Sequence, residues 1–251
     1  MEAYIKKLYN RKGFKNFNKF LTEYNKLNDF EPDGNVYQNN NYISEECHFI
    51  MRMATQYYLT KAFKAMKINM NNRNVTEDLE EGNISTPGRI AKVWCGGHLN
   101  DDTELGGGRW SKPIRIASFQ NTNKINTAIT KKVDLISSCS HHFIPFHSMS
   151  EKSYVIISYM ANRDLIGISK LQRLVGFVSQ RFWLQEDLTK TLYTEISRIA
   201  DTKSVYVGLF NIVHGCEQLR GAKSKNGSFT TEYYGGDYNN IELRKEIKNN
   251  V

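Results

Sequence analysis

Between Lys131 and Cys216 the apolar residues shift from alternate positions to every third or fourth and back again, and this change of period constrains the fold most. Lys131–Ser137 and Ser153–Met160 read as strands, and Ser204–Cys216 as a third, rich in Val, Ile, Tyr and Phe. Two helices lie between the second strand and the third. The first begins at Ser169 with Leu171, Leu174, Val175 and Val178 on one face, and Ser169 with Gln172 fits a capping box. The second, around Glu186–Ala200, turns Leu188, Leu192, Ile196 and Ile199 inward. Strand, strand, helix, helix, strand predicts an α+β domain whose antiparallel strands carry the helices on one face.

The first half is less regular. Residues 1–42 are rich in Lys, Asn and aromatic residues, and read as part helix and part loosely docked arm. From Ser44 to about Lys67 the spacing is helical, with Ser44-Glu45-Glu46 placing a cap and two acids at the positive helix end. Asn69 to Asn83 is polar and reads as loop. Thr86-Pro87-Gly88-Arg89 is a helix start, with Thr86 as cap, and it sets Arg89 and Lys92 on one face. Gly96 to Asn126 reads as a long loop or hairpin; its Gly106-Gly107-Gly108 is better explained by flexibility than by phosphate binding, since no P-loop lysine follows.

Composition narrows the class. Of 251 residues 40% are hydrophobic and 24% charged, which argues against global disorder. No run approaches the roughly 18 apolar residues of a spanning helix, and no signal-peptide core is visible at the start, so a soluble, cytoplasmic protein is expected. The formal charge of +8 favours an anionic partner without choosing among nucleic acid, a phosphorylated small molecule and a membrane surface.

Four cysteines in such a chain, with histidines beside them, point to metal or catalysis before disulfides. Cys139-Ser140-His141-His142 follows a predicted strand, and Cys139 and His142 are three apart, a spacing that lets both converge on one ion. In an extended strand His214 and Cys216 share a side. Cys139, His142 and Cys216 would make three ligands and leave a fourth position open, as catalytic zinc sites do. The reading as ordinary buried cysteines and strand-end histidines stays open beside it. Cys47-His48 and Cys95 with His98 form a competing set, better read as core and loop residues. The Ser169 helix start is an anion site by its free N–H groups, and Lys170 and Arg173 add cations; with Arg89, Lys92 and Arg220 they would suit a polyphosphate, whereas each taken singly fits a solvated basic face. Gln185-Glu186 offers a carboxylate that matches two adjacent guanine donors, or else a simple helix-dipole partner.

Five segments, taken in order, resemble GTP cyclohydrolase I: Thr-Pro-Gly-Arg-Ile-Ala-Lys (86–92), Cys-Ser-His-His-Phe-Ile-Pro-Phe (139–146), Gly-Ile-Ser-Lys-Leu-Gln-Arg (167–173), Leu-Gln-Glu-Asp-Leu-Thr (184–189) and His-Gly-Cys-Glu-Gln-Leu-Arg-Gly (214–221). The resemblance runs from about residue 44 to Gly236. It implies a tunnelling fold, a homodecamer with active sites at subunit interfaces, and hydrolysis of GTP to formate and 7,8-dihydroneopterin triphosphate, a product that opens pterin, folate or 7-deazaguanine routes. It also implies zinc on Cys139, His142 and Cys216, with His141 as general acid/base and His214 as a second proton-handling group. Glu186, with Gln185 nearby, would anchor the guanine edge, and Ser169, Lys170, Arg173, Arg220, Arg89 and Lys92 the ribose and triphosphate. The implied organisation is an extension over 1–43, a helical region over 44–95, a catalytic domain over 96–236 and a tail over 237–251.

Ser140 stands where that family usually has Glu, and His147-Ser148 follow Pro145-Phe146 where a glycine is common; His147 reads as a turn residue before an accessory ligand. Two other readings compete. A tunnelling-fold nitrile reductase acting on a 7-deazaguanine would use a cysteine nucleophile and no zinc, against which both the Cys-x-x-His and His-x-Cys segments count. A nucleic-acid-binding module with structural zinc would need a fourth ligand and charge spread along a groove, whereas the cations here gather near helix starts.

Overall fold

Ser44 behaves as its sequence context predicts: its hydroxyl accepts from Cys47 N at 3.2 Å and caps a helix of 21 residues. The computed structural model describes residues 1–27, 43–72, 75, 85–96, 114–124, 126–219, 223–224 and 226–250. The described residues up to 96 form one compact unit and those from 114 onward another.

The first unit holds α1 (Glu2–Arg11), α2 (Phe17–Asn25), α3 (Glu45–Ala65) and α4 (Thr86–Cys95). Ile5, Tyr9 and Phe17 pack on Ile50, Met53 and Ala54 of α3, so α1 and α2 are part of a core and not a loose arm. The cap of α4 is Ser85, one residue before the expected Thr86; the Ser85 hydroxyl accepts from Gly88 N at 3.3 Å. Adjacent Ser and Thr are equally fit to cap, and backbone geometry alone separates them.

The second unit contains β1 (Ser118–Gln120), β2 (Ala128–Val133), β3 (Ile136–Cys139), β4 (Pro145–His147), β5 (Tyr154–Met160), β6 (Asp164–Ile166), α5 (Ile168–Ser179), β7 (Phe182–Trp183), α6 (Gln185–Ala200), β8 (Val205–His214), α7 (Gly215–Leu219), β9 (Phe229–Tyr234) and α8 (Ile241–Asn249). It is α+β. Strands β2, β5, β8 and β9 lie side by side, all antiparallel, with Val155 opposite Leu209 and Ile157 opposite Val207. Those residues share the core with Leu171, Leu174 and Val178 of α5 and Leu188, Leu192 and Ile196 of α6, as the period of the sequence predicts. The alternate residues Ile156, Tyr206 and Phe210 pack beneath Tyr238 and Ile247, so α8 covers the opposite face of the sheet. Burial on both faces explains why β5 reads as a nearly unbroken apolar run.

Three expectations are corrected here. The strand expected over Lys131–Ser137 is two strands, β2 and β3, with Asp134 and Leu135 between them. Gln172 grips that break: its Oε1 accepts from Asp134 N at 2.9 Å and its Nε2 donates to Asp134 O at 3.0 Å. Gln172 is therefore engaged outside its own helix. The cap of α5 is Gly167, without a side-chain bond, and Ser169 lies inside the helix, so there is no capping box. The long loop or hairpin expected over Gly96–Asn126 yields β1, paired with β6 outside the segment, while 97–113, including the triple glycine, lies outside the described residues. Among the described residues no helix is long and apolar enough to cross a membrane.

Leu192 is fully buried between α6 and the sheet. Leu192→Ala is expected to destabilise the protein by about 2–5 kcal/mol, through lost transfer energy and an unfilled cavity, read as a lowered midpoint in urea unfolding.

Candidate metal and substrate site

The turn after β3 is tied at both ends, since Cys139 N donates to Ile144 O at 2.9 Å and Phe143 N donates to Cys139 O at 2.8 Å. Phe143 closes it in the left-handed region, φ 53°, with its ring 4.2 Å from that of Phe182. Ser140 N donates to Trp183 O at 3.1 Å, fixing the turn to β7, the parallel neighbour of β3. Cys139 and His142 are thereby presented from one tight, anchored loop.

The third member arrives differently from the sequence expectation. β8 ends at His214, and Gly215 begins α7, so Cys216 does not continue an extended strand beside His214. The cause is close approach: a Cβ on Gly215 would stand 2.7 Å from Ile144 Cγ2 and 3.1 Å from Pro145 O. Only glycine allows the β3–β4 turn so near, and the helical turn that follows folds Cys216 back toward it. The ligand atoms of Cys139, His142 and Cys216 all lie within 4.8 Å of one another. Tetrahedral zinc with two thiolates holds its sulfurs roughly 3.8 Å apart, so small side-chain rotations bring this set to bonding geometry. Burial and the neighbouring Cys139 push the Cys216 thiol above its ordinary value. A divalent cation between the two sulfurs reverses that penalty by favouring thiolate, so the donor set fits a soft or borderline metal.

Around these residues is a cavity of about 570 Å³. His141, exposed on the turn, and Glu186, exposed at the start of α6, stand on its walls with His214, Leu184 and Phe229. The His214 ring stacks on Phe146 at 4.7 Å and meets the edge of Phe229 at 5.1 Å. Burial holds its pKa below the ordinary histidine value, with Glu186 and Glu217 pulling the other way. Gln185 also lines the cavity but is only 3% exposed, and its amide is taken up by His214 Nε2 at 2.7 Å and Thr231 Oγ1 at 2.9 Å. Of the two residues read toward a guanine edge, only Glu186 has its polar group exposed.

None of the described cations named for a polyphosphate lines this cavity. Ser169 and Arg173 are exposed and Lys170 half-buried in the first turns of α5, and none of the three lines the cavity. Arg89 and Lys92 are exposed on α4, in the first unit. Arg220 lies outside the described residues, as does His98. Cys47, His48 and Cys95 are buried in the first unit, where His48 Nε2 lies 2.7 Å from Cys95 O. Burial and Glu23 push the Cys47 thiol up to about 12. His147 accepts from Met149 N through Nδ1 at 3.2 Å, a turn contact. Sequence reading missed Phe229 and Glu217. Phe229 opens a run, Phe-Thr-Thr-Glu-Tyr-Tyr, whose aromatic and β-branched content marks a strand. Glu217 carried no signal beyond its place next to Cys216.

The sequence model of GTP cyclohydrolase I matches residues 64–251, a span that contains every residue named for the site. The chain belongs to the GTP cyclohydrolase I family. Among relatives in that family, the GTP cyclohydrolase 1 of Blochmanniella pennsylvanica is 35% identical over 173 residues, 68% of this chain and 73% of that protein. The GTP cyclohydrolase 1 of Wigglesworthia glossinidia brevipalpis is 30% identical over 192 residues, 76% of this chain and 80% of that protein. That of Parabacteroides distasonis is 30% identical over 177 residues, covering 69% and 83%.

The geometry predicts one soft divalent ion per chain. Zinc added at pH 7 to metal-stripped protein should release at least one proton per ion, because the Cys216 thiol starts protonated. Cobalt(II) should give thiolate charge-transfer absorption that Cys139→Ser and Cys216→Ser each weaken; unchanged spectra in both variants would exclude this ligand set.

Proposed function

We propose that this chain is a zinc-dependent GTP cyclohydrolase I, opening the imidazole ring of GTP by hydrolysis and releasing formate and 7,8-dihydroneopterin triphosphate. The observation that carries this is the convergence of Cys139, His142 and Cys216 at the base of a cavity that also holds His141, His214 and Glu186, in a chain of this family. Cys139, His142 and Cys216 would hold zinc, which when bound supplies the Lewis acidity that makes water acidic near neutral pH.

The chain's own groups divide the remaining work. Glu186 accepts two hydrogen bonds from the N1–H and 2-amino group of guanine, which fixes the base in register with the metal ligands. It lies with Asp187 in the first turn of α6, at the positive helix end, where a carboxylate is stabilised. His141, exposed on the turn and lining the cavity, donates a proton to ring nitrogen as the C–N bond opens. His214, pinned between Phe146 and Phe229, handles a second proton in a drier setting.

The triphosphate needs several cations, and the described lining of the cavity has none, only the carboxylates Glu186 and Glu217. A site completed by another copy of the chain accounts for this. On that reading Ser169, Lys170, Arg173, Arg89, Lys92 and Arg220 hold the ribose and triphosphate across subunit interfaces of a tunnelling-fold homodecamer. Support comes from the sheet, in which β2 and β9 each pair on one side only among the described residues and so leave two edges open to further strands. Residues 96–236 are then the catalytic domain, with 44–95 a helical region ahead of it.

Purified protein incubated with GTP should yield formate and, after oxidation, a fluorescent pterin. Zinc-loaded protein that releases neither would overturn the assignment. His141→Ala should keep its zinc and lose at least ~100-fold in rate, the scale of a positioned acid/base. Glu186→Gln should instead raise KM for GTP and reduce kcat while metal content stays constant.

A further inference from the structure

Behind His214 runs a chain of hydrogen bonds in which every proton can be assigned. Thr189 Oγ1 donates to the main-chain oxygen of Gln185, one turn earlier in α6, at 2.7 Å. With its proton so committed, Thr189 accepts at its 2.7 Å contact with Thr231 Oγ1, and Thr231 is the donor. Thr231 then accepts from Gln185 Nε2 at 2.9 Å. The second amide proton faces Phe229 O at 3.4 Å, an atom that can only accept. Both contacts put the amide nitrogen on the β9 side and leave Gln185 Oε1 facing His214 Nε2 at 2.7 Å. A carbonyl oxygen cannot donate, so Nε2 carries the hydrogen and the lone pair of the neutral ring is at Nδ1.

We propose that Gln185, Thr231 and Thr189 are positioning residues that hold His214 in its Nε2–H tautomer, so that Nδ1 alone can accept a proton or a hydrogen bond during the reaction. The inference rests on the cavity being the active site for its catalytic consequence, but not for the tautomer itself. Inverting the amide would set its oxygen against Phe229 O and against Thr231 Oγ1, whose proton is committed to Thr189, two repulsions at one buried side chain. Rotation of the imidazole is opposed by Phe146 stacked within 5° of its plane and by Phe229 at its edge. The donor order originates in a helix carbonyl, which has no alternative polarity, and β9 transmits it from α6 to the end of β8.

The test is magic-angle-spinning NMR of the sedimented, zinc-loaded, full-length protein carrying 15N-histidine, at a pH where imidazole is neutral. Six histidines keep the spectrum tractable, and His214→Asn identifies the signal. Protonated and lone-pair nitrogens are separated by their 15N shifts. Wild type should show His214 as Nε2–H alone, and Gln185→Leu and Thr231→Val should each introduce the Nδ1–H form. Gln185→Glu, which keeps an acceptor at the same place, and Thr231→Ser should restore the wild-type signal. In turnover, Gln185→Leu should lower kcat by about 10–100-fold with KM for GTP little changed, the scale for loss of a group that orients another. An Nδ1–H ring in wild type, or a tautomer unmoved in both Gln185→Leu and Thr231→Val, overturns the proposal. The spectrum requires no GTP, so absence of turnover would count against the active-site reading and leave the tautomer result standing.

Discussion

Phe146 pairs with His214 across β4 and β8, and this short antiparallel contact brings together pieces of chain some seventy residues apart in sequence. Without it the β3–β4 turn would present Cys139 and His142 to solvent, and the end of β8 would have no reason to stop where it does. The stacked rings of Phe146 and His214 reinforce the pairing, and Gly215 lets the two backbones close to a distance that any side chain would prevent. Two members of the cysteine–histidine cluster from one side and one from the other then meet at a place neither segment could build alone.

The electrostatic character of that place differs from that of the whole chain. The chain carries a surplus of eight positive charges, whereas the described walls of the cavity contain histidines, thiols and two carboxylates but no lysine or arginine. Such a wall suits a base with hydrogen-bond donors and a cation of its own. It does not suit a bare polyphosphate. Recognition of an anionic part of a substrate would have to come from outside the described lining of the cavity.

Much of this was legible in the sequence because it rests on period. Leu188, Leu192 and Ile196 recur at helical spacing, and they are buried together. The three members of the cysteine–histidine cluster and their order were legible as well. What escaped was set by contacts distant along the chain. β4 and β7 have three and two residues, too few for alternation to register, yet they anchor the turn that carries Cys139. The bend at Gly215 depends on Ile144 and Pro145, so the extended path expected for Cys216 had nothing local to contradict it. Gln185 beside Glu186 looked like a second base-reading group, and His214 and Thr231, twenty-nine and forty-six positions away, show its amide to be engaged.

The cover on the far face of the sheet has a consequence for synthesis. Ile156 is apolar on a face closed by Tyr238 and Ile247, about eighty to ninety residues later in the chain. During translation from the N-terminus, β5 is therefore exposed on that side for the time taken to add those residues, even after α5 and α6 are available to cover the other. At ribosomal speeds of about 5–20 residues per second this is an interval of several seconds, far longer than collapse of a chain this size. A half-covered apolar sheet during that interval is a natural client for a chaperone that recognises extended hydrophobic segments.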